Sequence, residues 1–127
     1  MSKDVIEKKL AQLMDTVPEC EGLIAADIDG KVIVGQTITE MDHAKIAKAC
    51  VSIIKDSNSM SLDKGNLKNI TIELEEGFAV LVGSDKTILI ALAGVDGQAS
   101  LGLLKRNLIS ISNLYFYLYF FLKRETI

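Results

Sequence analysis

Leu23-Ile24-Ala25-Ala26-Asp27-Ile28-Asp29-Gly30-Lys31-Val32-Ile33-Val34-Gly35-Gln36-Thr37 is the stretch on which the fold of this chain turns. It reads as two short strands closed at Asp29-Gly30, a dipeptide that readily takes the positive φ angles of a two-residue hairpin turn. Leu23–Ala26 and Val32–Val34 are apolar at consecutive positions, with no alternation. Antiparallel sheets commonly leave one face wet. A hairpin dry on both faces belongs at a sheet centre, with helices above and below it.

The flanking sequence supplies those helices. Lys3–Thr16 carries Val5, Ile6, Leu10, Leu13 and Met14, followed by Val17, at helical spacing. Ser2 is a plausible cap and Pro18 ends the helix. After the hairpin, Thr39-Glu40-Met41-Asp42 has the form of a capping box and predicts a helix from Glu40 to about Ser61. Ile46, Ala47, Cys50, Val51, Ile53 and Ile54 span about half its circumference at about 100° per residue. A helix resting on one sheet needs an apolar stripe of only about 100°. The extra width predicts contact with a second surface, most economically the same helix of a second copy. Lys45, Lys48, Ser52, Lys55 and Ser59 fill the polar half, and His43 reads as a structural histidine at the start of the helix.

Leu62–Asn66 reads as a loop. Leu67–Glu75 alternates cleanly, Ile70, Ile72 and Leu74 against Thr71, Glu73 and Glu75, which marks a strand with one covered face. Phe78–Val82 and Ile88–Ala93 are apolar throughout, and tight connections join the three strands into a meander. The two continuous runs belong inside the sheet and the alternating strand at an edge. A last helix follows Gly94–Gly97, with Leu101, Leu104, Leu108, Ile111, Tyr115, Leu118 and Leu122 in its stripe. Its segment Leu114–Leu122 is apolar or aromatic all round and holds Tyr115, Phe116, Tyr117, Tyr119, Phe120 and Phe121.

Composition narrows the function. At 127 residues one domain with its own core is expected. The 14 Lys and Arg are scattered among 17 acidic residues, leaving no basic patch for nucleic acid. Cys20 and Cys50 fit no metal or redox spacing and read as buried thiols in a reducing cytosol. The N-terminal Met-Ser-Lys-Asp opens an amphipathic pattern and carries no signal peptide. The apolar segment of the last helix, Leu108 to Leu122 less its few Ser and Asn, is about 22 Å long at 1.5 Å per residue. A bilayer core of about 30 Å exceeds that length, so membrane contact is the least favoured use of this segment.

No motif carries chemistry. Asp27-Ile28-Asp29-Gly30 after an apolar strand has the outline of a haloacid-dehalogenase-type phosphatase site. Lys31 stands where those enzymes place Thr or Val, and the chain lacks room for their parallel sheet and second acidic pair. The same aspartates make no calcium loop, because position twelve would be Ile38. There is no phosphate loop or dinucleotide fingerprint, and no nucleophile with a histidine in reach. The expectation is a binding module without catalytic residue, cofactor or metal.

The order helix, two strands, helix, three strands, helix resembles the Roadblock domain of dynein light chains, bacterial polarity regulators and lysosomal scaffold subunits. The resemblance covers nearly the whole chain. It rests on Val17-Pro18-Glu19-Cys20-Glu21-Gly22 leading into Asp27-Ile28-Asp29-Gly30-Lys31-Val32-Ile33, on the turn Glu75-Glu76-Gly77-Phe78, and on Ser100-Leu101-Gly102-Leu103-Leu104-Lys105-Arg106. The aromatic end of the last helix departs from the more polar ends of relatives.

The resemblance implies an α+β fold of profilin-like type, a three-layer α/β/α sandwich around a five-stranded antiparallel sheet, filling 1–127 as one Roadblock domain. It also implies a cytoplasmic homodimer made by joining edge strands and pairing middle helices, here through Lys68, Ile70, Ile72 and Leu74 with Ile46, Cys50 and Ile53. Members have no known catalytic residues and serve as platforms for small Ras-like GTPases or as adaptors on motor complexes. Lys45, Lys48, Lys55, Phe116, Phe120 and Phe121 are the candidate partner surface. A structural adaptor with no nucleotide-linked partner is the alternative reading.

Overall fold

The computed structural model describes the backbone of residues 2–58, 62–65, 67–83 and 86–125, and the side chains of 4–58, 62–65, 67–83 and 86–113. Helix α1 (Ser2–Thr16) leads through Pro18 into strands β1 (Cys20–Asp27) and β2 (Val32–Thr37). Helix α2 (His43–Asn58) precedes the meander β3 (Asn69–Leu74), β4 (Gly77–Gly83) and β5 (Thr87–Gly94). A short 3-10 helix, Val95–Ser100, replaces the expected loop and feeds α3 (Leu101–Glu125). All pairings are antiparallel, and the sheet order is β2-β1-β5-β4-β3.

Helices lie on both faces, as the continuous apolar runs demand. On one face α1 and α3 pack Ile6, Leu10, Leu13, Leu104, Leu108 and Ile111 against Leu23, Ala25, Val80, Val82, Leu89 and Ala91. On the other, Ala47, Cys50 and Val51 of α2 pack with Ile24, Ala26, Leu81, Ile88 and Ile90. Ile24, Leu81 and Ile90 have no exposed surface. Truncating any of them to alanine would cost about 2–5 kcal/mol.

Three local expectations are corrected. The hairpin loop has three residues, Ile28–Gly30, not two: Asp27 N–H donates to the Lys31 carbonyl at 2.9 Å, Gly30 N–H donates to the Asp27 carbonyl at 3.0 Å, and Asp27 Oδ1 accepts from the backbone of Asp29 and Lys31. Aspartate at the first position and glycine at the fourth suit a type I turn. Gly30 alone of the pair has positive φ, +88°. A Cβ there would also meet the Cγ of Lys48 at 2.8 Å, so glycine lets α2 cross close over the turn.

The second correction concerns β2, which is an edge strand and not the sheet centre; of the two hairpin strands, β1 alone is covered on both faces. A bulge skips Ile33 between the pairs Ala25↔Val34 and Ala26↔Val32. Ile33 and Val34 both pack on the α1/α3 side while Val32 packs on the α2 side. Third, α2 starts at His43 rather than Glu40. Asp42 caps it, its Oδ1 accepting the Lys45 backbone N–H at 3.1 Å. The Thr39 carbonyl instead accepts the Thr37 hydroxyl at 2.6 Å. The expected end of this helix, residues 59–61, lies outside the described residues.

Candidate interaction surface

A five-stranded open sheet has two free edges, and they differ. Strand β3 keeps an unbroken register with β4 from Asn69↔Val82 to Leu74↔Gly77. Strand β2 carries the bulge, a device that twists an edge away from further pairing. The β3 edge therefore offers a flat row of backbone donors and acceptors, free of proline and bulge, as a template for another strand.

The face beside this edge is thinly covered. Helix α2 lies over β1, β2 and β5, where Gly35 admits the His43 ring; a Cβ on Gly35 would come 2.5 Å from Nδ1. His43 Nε2 lies 3.0 Å from Thr37 Oγ1, which makes the one histidine a structural clamp on β2. With α2 displaced to that side, Ile70 and Ile72 are only half-buried, and Leu74 is 59% exposed. Leu92, expected inside the sheet, is half-buried here too. Cys50 is buried within the single chain, Ile46 is half-buried, and Ile53 is 37% exposed. Burial pushes the Cys50 thiol up to about 11, so it stays a neutral apolar group.

Next to the β3–β4 turn, a cleft of about 490 Å³ is lined by Met41, Leu74, Phe78 and Leu92, with Glu21, Glu75 and Glu76 at its rim. Met41 and Leu92 were not legible as surface residues: one reads as part of a helix start, the other as one more residue of a buried strand. Their signal is the position of α2, which no local pattern fixes.

The lysines separate. Lys45 and Lys55 are exposed on α2, while the stem of exposed Lys48 lies against the hairpin turn at Gly30. Lys55 also borders a smaller cleft of about 270 Å³ with Ile28, Val51, Ile54 and Ile88. Phe116, Phe120 and Phe121 lie outside the residues whose side chains are described. Asp27, the residue that most invites a catalytic reading, spends its Oδ1 on the turn. Among the described residues no group of three or more His, Cys, Asp or Glu could hold a metal ion, and no helix is long and apolar enough to cross a membrane.

No protein-family model and no curated protein matches the chain in sequence. Solved structures match its fold. A Roadblock/LC7 domain from Streptomyces avermitilis superposes with TM-score 0.75 at 18% identity, covering 88% of this chain and 96% of that one. MglB in a tetrameric arrangement gives 0.76 at 11% identity, over 90% of this chain and 92% of its own. The gliding protein MglB from Thermus thermophilus gives 0.71 at 10% identity, over 88% and 91%.

Proposed function

With the Roadblock/LC7 fold of this chain as the premise, we propose that it is a single Roadblock domain acting as a non-enzymatic cytoplasmic homodimer that binds and regulates or scaffolds a small Ras-like GTPase. The observation that carries this reading is the β3 edge with its half-covered apolar face. Natural sheets seldom leave a flat edge of this kind unprotected, and a two-fold axis beside it would join two sheets and bring the α2 helices together. The tetrameric arrangement of an MglB supports self-association in this fold. Similarity to gliding proteins supports a regulatory role.

Joined sheets under paired helices form a broad, shallow platform, suited to a folded partner and poorly suited to enclosing a small molecule. Lys45, Lys48 and Lys55 give the solvent side of α2 a positive face for an acidic partner surface. The experiment measures binding of this protein to candidate small GTPases loaded with the diphosphate or with a non-hydrolysable triphosphate. Binding that depends on the nucleotide is the expected result. Equal or no binding in both states across the candidates favours the structural adaptor, and GTP hydrolysis by the purified protein alone would show the class to be wrong.

A further inference from the structure

The β3 side chains choose among the ways two copies could join. Facing residues of an antiparallel pair point to the same side of the sheet, so a two-fold axis normal to the sheet must pass through a residue rather than between two. Five positions, Ile70 to Leu74, are available. An axis at Glu73 opposes Glu73 to itself and Ile70 to Glu76; one at Leu74 opposes Glu73 to Glu75. Like charges directly opposite are destabilising. An axis at Thr71 sets Lys68 against Leu74 and Leu67 against Glu75, and one at Ile70 sets Lys68 against Ile72.

With the axis at Ile72 the conflicts vanish. Ile72 meets Ile72 and Ile70 meets Leu74, covering the half-buried isoleucines and the 59% exposed leucine on the α2 side. On the opposite side Thr71 faces Glu73 and Asn69 faces Glu75, so no two acids stand directly opposite, and the two Glu73 side chains are only diagonal neighbours at about 7–8 Å. Lys68, exposed and just before the strand, comes beside the Glu75–Glu76 turn of the second copy, at the acidic rim of the cleft described above. We infer that a second copy of this chain docks on β3 in the register that places Ile72 on the two-fold axis, with Lys68 of each copy closing the acidic rim of the other's cleft. The inference rests on the homodimer proposed above and adds its register and its charge contact.

Cysteine pairing tests it. In a Cys50→Ser background, single replacements Ile70→Cys, Thr71→Cys, Ile72→Cys and Glu73→Cys are oxidised mildly, and each variant is also sedimented under reducing conditions. Only a residue on the axis faces its own copy, at about 4.5–5.5 Å between Cβ atoms; neighbours two positions off sit about 7–8 Å apart, too far for a disulfide. Ile72→Cys is expected to give a covalent dimer and the others little. A dimer that crosslinks instead through Thr71→Cys or Glu73→Cys overturns the register and leaves the homodimer standing. A protein that sediments as a monomer at micromolar concentration sinks both. On exposed positions that leave the fold intact, Lys68→Glu should weaken dimerisation at least tenfold, and Glu76→Lys with Glu75→Lys in the same chain should restore it. Absence of any effect of Lys68→Glu removes the charge contact.

Discussion

Asp27 Oδ1 accepts the backbone N–H of Lys31 at 3.0 Å, and the same oxygen accepts that of Asp29 at 2.9 Å. One carboxylate thus shapes the turn around which the sheet's first two strands fold back. Replacing Asp27 with alanine leaves both N–H groups to solvent, and a loss of about 1 kcal/mol is expected, the net worth of a hydrogen bond at a partly exposed site. Asn keeps an acceptor, so Asp27→Asn should cost less. Urea midpoints of the two variants make the comparison; equal losses would mean that the charge, rather than the acceptor, holds the turn.

The start of α2 gives a second comparison. Asp42 Oδ1 accepts at the third helical N–H, whereas the Thr39 side chain stands outside the helix. Asp42→Ala should destabilise by about 1 kcal/mol, in the range for a lost N-cap. Thr39→Ala should cost little, because its structural contact is made by the carbonyl. Thermal unfolding of both variants checks the order, and a larger loss at Thr39 would return the cap to the earlier residue.

What the sequence showed and what it hid follow from these details. Continuous apolar runs mark strands buried on both faces only while the pleat alternates regularly. That holds for Leu23–Ala26 in β1 and for Phe78–Val82 in β4, which do lie inside the sheet. It fails at Val32–Val34, where the bulge turns Ile33 and Val34 to one side, so three apolar residues in a row fit an edge strand. Thr39 and Asp42 are both good caps and lie three residues apart; sequence alone does not choose between them. The alternation of β3 showed an edge directly. How far that edge is bare depends on where α2 rests, a tertiary property set by contacts such as Gly35 under His43.

That contact is testable by a double-mutant cycle. A Cβ on Gly35 would lie 2.5 Å from His43 Nδ1 and 3.1 Å from Cγ, so the ring must move and give up its 3.0 Å approach to Thr37. Gly35→Ala should destabilise by about 1–3 kcal/mol, the usual cost of overpacking. His43→Ala makes room for the new methyl, and the double variant should be clearly more stable than the two single losses added together. Simple additivity in chemical denaturation would show that the ring does not set the position of α2.

Cys50 sets an alkaline limit. Burial raises its folded value from 9.0 to about 11. Below pH 9 the thiol is neutral whether the chain is folded or unfolded, and its contribution is fully present. Between pH 9 and 11 the unfolded chain gives up the proton while the folded chain keeps it, so unfolding gains and stability falls. Stability curves of the parent and of Cys50→Ala, measured from pH 7 to 11, should therefore converge above pH 9. Parallel curves would mean that the thiol titrates normally in the folded protein.

Ile53 separates folding from association. It is 37% exposed within one chain, on the same helix as the buried Ala47, Cys50 and Val51. A charge at this position reaches solvent in the monomer, where losing the side chain's partial burial should cost about 1 kcal/mol. Between paired α2 helices the same charge would be desolvated without a partner, and would face its own copy near the two-fold axis. Ile53→Asp should therefore keep the circular dichroism and nearly the thermal stability of an isolated fold while shifting sedimentation from dimer to monomer across the micromolar range. Had the wide apolar arc of α2 served only its own sheet, the variant would stay dimeric. Persistence of the dimer would thus locate the interface on β3 without the helices.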